Sequence, residues 1–343
     1  MTSHATGPAQ TGSPVAVLGA GSWDTALAIQ FARSGKPTRL WGRDTAQMTD
    51  MARARVNARY LPKAPFPESL SVGGDLAVVL DGALDVLIVV PSQALRGLLN
   101  EIKPLLTSGM RLAGATKGFE TGTGLLPNQV ARQELGADRA YAVLSGPTFA
   151  SEVGAGLPSA MVVASENEAF AARLALDLSS PTFRTYTSTD IVGVEVGGAV
   201  KNVLALAAGF SDGLGFGANT RVALITRGLT EMTRLGEALG ARRETFMGLA
   251  GLGDLVLTCT DDHSRNRRFG LLLAKGYSLE QARAEIGQVV EGARAAQCVH
   301  DVATRLGVEM PLCEGVYRVL YEDVSAEAVV RALMKRPLKA EAE

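Results

Sequence analysis

Histidine and cysteine are scarce, three of each in 343 residues. His4, His263 and His300 are far apart, and His4 lies in a polar N-terminal stretch, so a multi-histidine metal centre is not expected and acid–base chemistry falls to lysine or carboxylate. Cys259, Cys298 and Cys313 are odd in number and lack C-x-x-C spacing. They offer neither a disulfide framework nor a zinc site and fit a reducing compartment, the cytoplasm. Neither sign of charge is in excess, with 34 Lys and Arg against 35 Asp and Glu, and no basic block exceeds the short Arg265 to Arg268 run. That balance argues against nucleic acid, whose binding draws on phosphate neutralisation. No apolar run reaches about 18 residues before Lys201, Asp212 or a Gly or Pro interrupts it, so no membrane span is expected. The first 13 residues have neither a basic nor an apolar signal region and do not read as a secretory leader.

What is present is a core-forming chain, 47% hydrophobic. A chain of this length buries roughly three quarters of its unfolded surface, and about 150 residues per domain suggests two domains. From Val15 the text VAVLGAGSWDTALAIQFARSGKPTRLWGRD reads as strand, Gly-rich turn, amphipathic helix to Ser34-Gly35, and a second strand from Thr38 to Trp41. Further short apolar runs at Val86 to Val90, Met110 to Ala113, Ala142 to Leu144 and Ala160 to Ala164 alternate with helical segments, which implies a mostly parallel sheet covered on both faces. After about Asp190 the strand-like runs stop, and Ala- and Leu-rich helical spacing takes over. The expected architecture is an α/β Rossmann-like N-terminal domain followed by an all-α C-terminal domain. The divisions are a disordered tail over 1–13, a dinucleotide-binding domain over 14–190, a helical substrate and catalytic domain over 191–335, and a charged tail over 336–343. A ligand cleft is expected between the two halves.

Gly19 and Gly21 fill the first two places of G-x-G-x-x-G, a turn that lets backbone N–H groups approach a diphosphate at a helix N-terminus. The third place is Asp24 rather than a small residue. An acid there repels a bound diphosphate and adds bulk between helix and strand, unless its carboxylate swings into solvent. At the end of the second strand, Arg43 would pair with the 2′-phosphate of NADP and Asp44 with the ribose hydroxyls of NAD. Arg43 comes first, which leans towards NADP, with use of both cofactors or a solvated pair as alternatives.

Lys201 stands among Val200, Val203, Leu204 and Ala207, where desolvation would lower its pKa into the range of a general acid or base; a helix lysine can also simply snorkel to water. Beside it, Asn202 can donate and accept hydrogen bonds or face solvent. Downstream, a Gly-rich loop holds Asp254, and Ser264 is placed to cap a helix that Arg265 and Asn266 enter. A helix N-terminus with Arg, Asn and free N–H groups suits a phosphate monoester, although Asp254 can equally be a cap and Arg265 a surface charge. Lys117, in GATKGFE, and SGPTFA over 145–150 follow strands, where open α/β sheets present ligand contacts, although a plain loop lysine and an ordinary turn explain them about as well.

Together LGAGSW, LWGRD, ATKGFE, SGPTFA, AVKNVLALAAGFSDGLGFGANTRVALITRG, GLGDLVLTC, SRNRRFG and VEG resemble the NAD(P)-dependent sn-glycerol-3-phosphate dehydrogenases of the bacterial biosynthetic type, in unbroken order from about Val15 to Met334. The resemblance implies reversible reduction of dihydroxyacetone phosphate to sn-glycerol 3-phosphate for phospholipid synthesis, in a cytoplasmic homodimer that uses NADP or NAD and no metal. It makes Lys201 the general acid/base, with Asp254 and Lys117 as its polar setting. Ser264, Arg265 and Asn266 would grip the substrate phosphate, with Gly146, Thr148, Asn202 and Thr258 also beside the substrate. Alongside Gly19 and Gly21 on the cofactor side it places Ser22, Trp23, Arg43, Tyr60, Lys117, Ala150, Arg265, Val289 and Glu291. Two departures stand out: Asp24, and Gln93 where a His is common in relatives. A weakly active binding variant, and a two-domain dehydrogenase of a hydroxy acid, are the alternative readings.

Overall fold

A computed structural model describes residues 12–337. Most of the expected N-terminal tail and the end of the charged tail lie outside the described residues. Ten strands are present among the described residues: β1 Val15–Leu18, β2 Thr38–Trp41, β3 Val56–Asn57, β4 Leu61–Pro65, β5 Leu70–Gly73, β6 Asp85–Ile88, β7 Arg111–Gly114, β8 Tyr141–Ser145, β9 Ser159–Ala164 and β10 Phe183–Ser188. Eight of them form one sheet in the order β10-β9-β8-β7-β6-β1-β2-β5, while β3 and β4 make a separate hairpin. All pairings in the large sheet are parallel except β8 with β9. Parallel strands require covered faces. One face packs Leu27, Ile29, Phe31, Leu144 and Phe170, and the other packs Val86, Ile88, Leu95, Leu99 and Val143.

Chain direction across the sheet reverses beside β1, which has β2 on one side and β6 on the other. Such a switch point opens a crevice at the C-terminal strand ends. Here the crevice begins at Gly19, directly after β1. Gly19 has φ +132°, and a Cβ there would lie 2.5 Å from the Val89 carbonyl after β6. Only glycine tolerates both the conformation and the approach.

Past β10 the described residues are helices and connecting turns. Their centre is the 23-residue helix Ile191–Gly213, whose apolar residues continue around its whole circumference, as expected of a helix enclosed on every side. It is long and apolar enough to cross a membrane by length and composition, but 94% of its apolar window is buried inside the protein, as in a core helix. Val203, Leu204 and Leu206 are fully buried, each contributing about 1.5–3 kcal/mol relative to exposure. Asp190 caps its start, accepting from Gly193 N at 2.9 Å, while its other oxygen accepts from Arg242 N and Thr245 Oγ1 at 2.9 and 2.6 Å. That cap fixes where the helix leaves the sheet, and so which turn carries Lys201 to the crevice.

Candidate active site

Three charged side chains from three separated segments meet at the junction of the two halves. Lys201 extends from the middle of the core helix and is 7% exposed, and Asp254 is 1% exposed. Lys201 Nζ donates to Asp254 Oδ1 at 2.5 Å and to Thr258 Oγ1 at 3.1 Å. Lys117, on the loop after β7, donates to Asp254 Oδ2 at 2.9 Å. One carboxylate therefore bridges two ammonium groups. Thr258 donates its own hydrogen to the Asp254 carbonyl at 2.6 Å, leaving its oxygen for Lys201.

Local backbone geometry explains how the three meet. A π-type turn over Leu249–Gly253 runs into the helix Asp254–Thr260, so Asp254 enters on the first turn and Thr258 follows four residues later on the same face. This turn can press against the core helix because Gly197 has no side chain: a Cβ there would stand 2.4 Å from the Ala250 carbonyl. One residue on, a Cβ on Gly198 would touch the Lys117 stem at 3.5 Å, so the lysine lies along the helix three residues before Lys201. Pro147 of the SGPTFA loop approaches Gly253, and Phe149 sits with its ring centroid 5.5 Å from that of His263. Gly146 and Thr148 are thereby held close to the turn before Asp254, with Thr148 Oγ1 donating to the Gly146 carbonyl at 3.3 Å.

Electrostatics follow from this geometry. Burial pushes the Lys201 pKa down to about 8; Asp254 opposes the fall and the neighbouring Lys117 charge assists it. Burial works against the charge on Lys117 too, but Asp254 outweighs it and holds that ammonium above the usual lysine range. Burial likewise disfavours the Asp254 carboxylate, yet the two lysines keep it below the usual carboxylate range. The site thus holds a fixed cation, a fixed anion and one amine that exchanges its proton near neutral pH.

The helix that Ser264 is placed to cap is formed. Ser264 caps the helix Arg265–Ala274 by accepting from Arg267 N at 3.2 Å. Asn266 turns inward, donating to Asn202 Oδ1 and accepting from Gly292 N, both at 2.9 Å, and Asn202 donates in turn to Glu291 Oε2 at 3.3 Å. This amide relay joins three helices. Arg265 instead points to the cleft and donates to Gln288 Oε1 at 3.1 Å.

A cleft of about 1150 Å³ runs between the halves, with Gly19, Gly21, Ser22, Arg43 and Tyr60 on one wall and Arg265 and Val289 on the other. A smaller adjoining pocket is lined by Lys117, Val289 and Glu291. Trp23 and Ala150 line neither; both pack against the sheet core, and the Trp23 indole N–H is buried without a partner among the described residues. Arg43 is exposed at the cleft, whereas Asp44 uses a carboxylate oxygen to cap the next helix by accepting from Gln47 N at 3.1 Å. A glycine turn at a helix start, with guanidinium groups from Arg43, Arg59 and Arg265 in one cleft, fits an anionic dinucleotide. Asp24 is the exception. Its carboxylate does not swing into solvent: it is 5% exposed and folds back under the turn, accepting from Gly21 N at 2.7 Å and Thr25 N at 3.1 Å.

Two further features escaped the sequence reading. Asn57 is fully buried, and its Nδ2 donates to the carbonyls of Ala20 and Gly21 at 3.1 and 3.2 Å and to Thr25 Oγ1 at 2.9 Å, so the β3–β4 hairpin locks the glycine turn. Arg294 donates to Gln93 Oε1 at 3.0 Å, tying the helical half to the first turn of the helix Ser92–Ile102 that follows β6, beside the smaller pocket. No short motif marks either residue; each works through partners distant in sequence.

Comparison with known proteins points one way. Family models described as the NAD-dependent glycerol-3-phosphate dehydrogenase N-terminus and C-terminus match residues 14–171 and 190–331. A glycerol-3-phosphate dehydrogenase (NAD(P)+) of Thioalkalivibrio sulfidiphilus is 55% identical over 328 residues, covering 96% of this chain and 98% of that protein. One from Haemophilus ducreyi is 53% identical over 329 residues, with 96% and 98% coverage. Among solved structures, glycerol-3-phosphate dehydrogenase of Coxiella burnetii superposes with a TM-score of 0.91 at 48% identity, covering 94% of this chain and 99% of that one.

Proposed function

The chain belongs to the NAD-dependent glycerol-3-phosphate dehydrogenase family, and from that premise we propose that it interconverts dihydroxyacetone phosphate and sn-glycerol 3-phosphate with NAD(P)H, using Lys201 as the proton-transferring group. The observation that carries the catalytic assignment is the buried Lys201, bonded to Asp254 and Thr258 at the junction of the two halves. When bound, the reduced nicotinamide supplies the hydride. Negative charge then develops on the ketone oxygen, and an ammonium within hydrogen-bond reach both stabilises it and delivers a proton. A pKa of about 8 suits both directions, because the same group must be an acid in reduction and a base in oxidation. Asp254 and Thr258 fix the rotamer of Lys201, and Lys117 retains the positive charge that attracts the oxygen.

Substrate phosphate is assigned to the helix start at Ser264, Arg265 and Asn266, with Gly146, Thr148 and Asn202 completing the substrate wall. Binding energy from this non-reacting group orients the carbonyl, so it acts on rate as well as affinity. The relatives do not favour the hydroxy-acid alternative. On the cofactor side Gly19, Gly21, Ser22, Trp23, Arg43, Tyr60, Ala150, Val289 and Glu291 are assigned as the family resemblance implies; Trp23 and Ala150 act there from behind the cleft wall. The exposed Arg43 supports a preference for NADP. A division near residue 190, after the last strand, separates cofactor and substrate domains. Three buried free cysteines support a cytoplasmic setting, and the homodimer rests on the family resemblance. The test is oxidation of NADPH and NADH by dihydroxyacetone phosphate: turnover confined to the phosphorylated ketose supports the reading, and none with either cofactor defeats it.

A further inference from the structure

Asp24 puts an anion inside the turn that an anionic ligand would use. Its Oδ2 holds the Gly21 N–H, and its carboxylate lines the cleft beside Gly19, Gly21 and Ser22. Space beneath the turn is filled by this group: a Cβ on Gly19 would meet Asp24 Oδ2 at 2.4 Å. A diphosphate docked at this helix start therefore comes into the field of a like charge that water screens poorly.

We propose that Asp24 is a built-in competitor of the cofactor diphosphate, so that dinucleotide binding selects the neutral acid and takes up a proton. The proposal rests on the assignment of the dinucleotide to the Gly19–Gly21 turn and adds to it a proton linkage. Burial has already raised the Asp24 pKa to about 6, against the N–H groups of Gly21, Thr25 and Asp24 itself, which favour the charged form. The charged side chains on surrounding elements do not hold the carboxylate ionised. Arg33 on its own helix donates to Val153 and Gly154 carbonyls, Arg39 on β2 to those of Val78 and Asp81, and Arg173 and Lys36 pair with Asp177. Lys63 on β4 is exposed, Glu152 is only partly buried, and Arg43, Asp44 and Arg59 face the open cleft. A bound diphosphate raises the pKa further, so affinity climbs as pH falls between the pKa of the complex and about 6, and levels off below that.

The test is NADH binding, followed by fluorescence at pH 6, 7 and 8, for the unmodified chain, for Asp24→Asn, which keeps an acceptor for Gly21 N, and for Asp24→Gly, which removes the side chain. NADH is the right probe because it lacks the 2′-phosphate of NADPH, which titrates in this range. The expected result for the unmodified chain is a tightening of up to about tenfold per pH unit towards pH 6. Both variants should bind tightly with a flatter profile. Calorimetry in two buffers of different ionisation enthalpy should register proton uptake with NADH that is lost in both variants. Parallel pH profiles and equal proton uptake in all three proteins would overturn the linkage while leaving the cofactor site in place. Absence of binding of both NADH and NADPH by all three at every pH would overturn both.

Discussion

Lys201 and Asp254 are 53 residues apart in sequence, yet their side chains meet at 2.5 Å in a space where Asp254 is 1% exposed. A lysine alone at that depth would lose its proton, and a carboxylate alone would gain one. Each keeps the other ionised, and Lys117 adds a second cation, which leaves Lys201 with the lower pKa of the two amines.

The pH dependence of that pair is open to test. In ketone reduction Lys201 must begin protonated, so kcat should fall as pH rises through about 8; in alcohol oxidation it must begin neutral, so kcat should rise over the same interval. Asp254→Asn removes the attraction that sustains the ammonium. The reductive limb should then move to lower pH by about one unit or more. Measured kcat profiles that superimpose for the two proteins would show that Asp254 does not set the charge on Lys201.

Among the described residues Arg265 faces the cleft with only Gln288 as a hydrogen-bond partner, which leaves its guanidinium available to an oxyanion. Arg265→Ala should lower kcat/KM for dihydroxyacetone phosphate by about 1.5–3 kcal/mol, roughly ten- to hundredfold. Turnover of unphosphorylated dihydroxyacetone, which has nothing for this arginine to hold, should change little. An equal loss on both ketoses would place Arg265 outside the phosphate site.

Arg43→Ala bears on cofactor choice. With Asp44 engaged as a helix cap, Arg43 is the cation at the end of β2 that can pair with a 2′-phosphate. The KM for NADPH should rise about tenfold, as expected for one charge-assisted contact, while that for NADH stays nearly constant. Equal KM changes for the two cofactors would remove the preference for NADP.

The parts of this fold legible in the sequence are those with a strong period. β1, β2, β6, β7, β8 and β9 fall within a few residues of the apolar runs that mark them, and the change to helices after Asp190 is where the text changes. β5 and β10 were not read, and they are the two edges of the sheet. With one side open, LSVG and FRTYTS have many exposed or half-exposed residues and leave no apolar run to notice. Gly19, Ser264 and Arg265 declared themselves through turn and cap chemistry. The Lys117–Asp254–Lys201 cluster came from the family resemblance, since no local rule joins residues so far apart. Asn57 left no signal because its partners are Ala20, Gly21 and Thr25. For Asp24 the residue type was visible but not its rotamer, and the rotamer decides whether its charge faces water or the turn.

Whether the Lys201 amine carries the proton is decided by turnover of Lys201→Ala with dihydroxyacetone phosphate, alongside NADPH affinity determined by fluorescence. Loss of a positioned proton donor should cut kcat by about 10²–10⁴-fold, with the affinity for NADPH within a few-fold of that of the unmodified protein. A kcat near that of the unmodified protein, in a variant that still binds NADPH, would remove Lys201 from proton transfer.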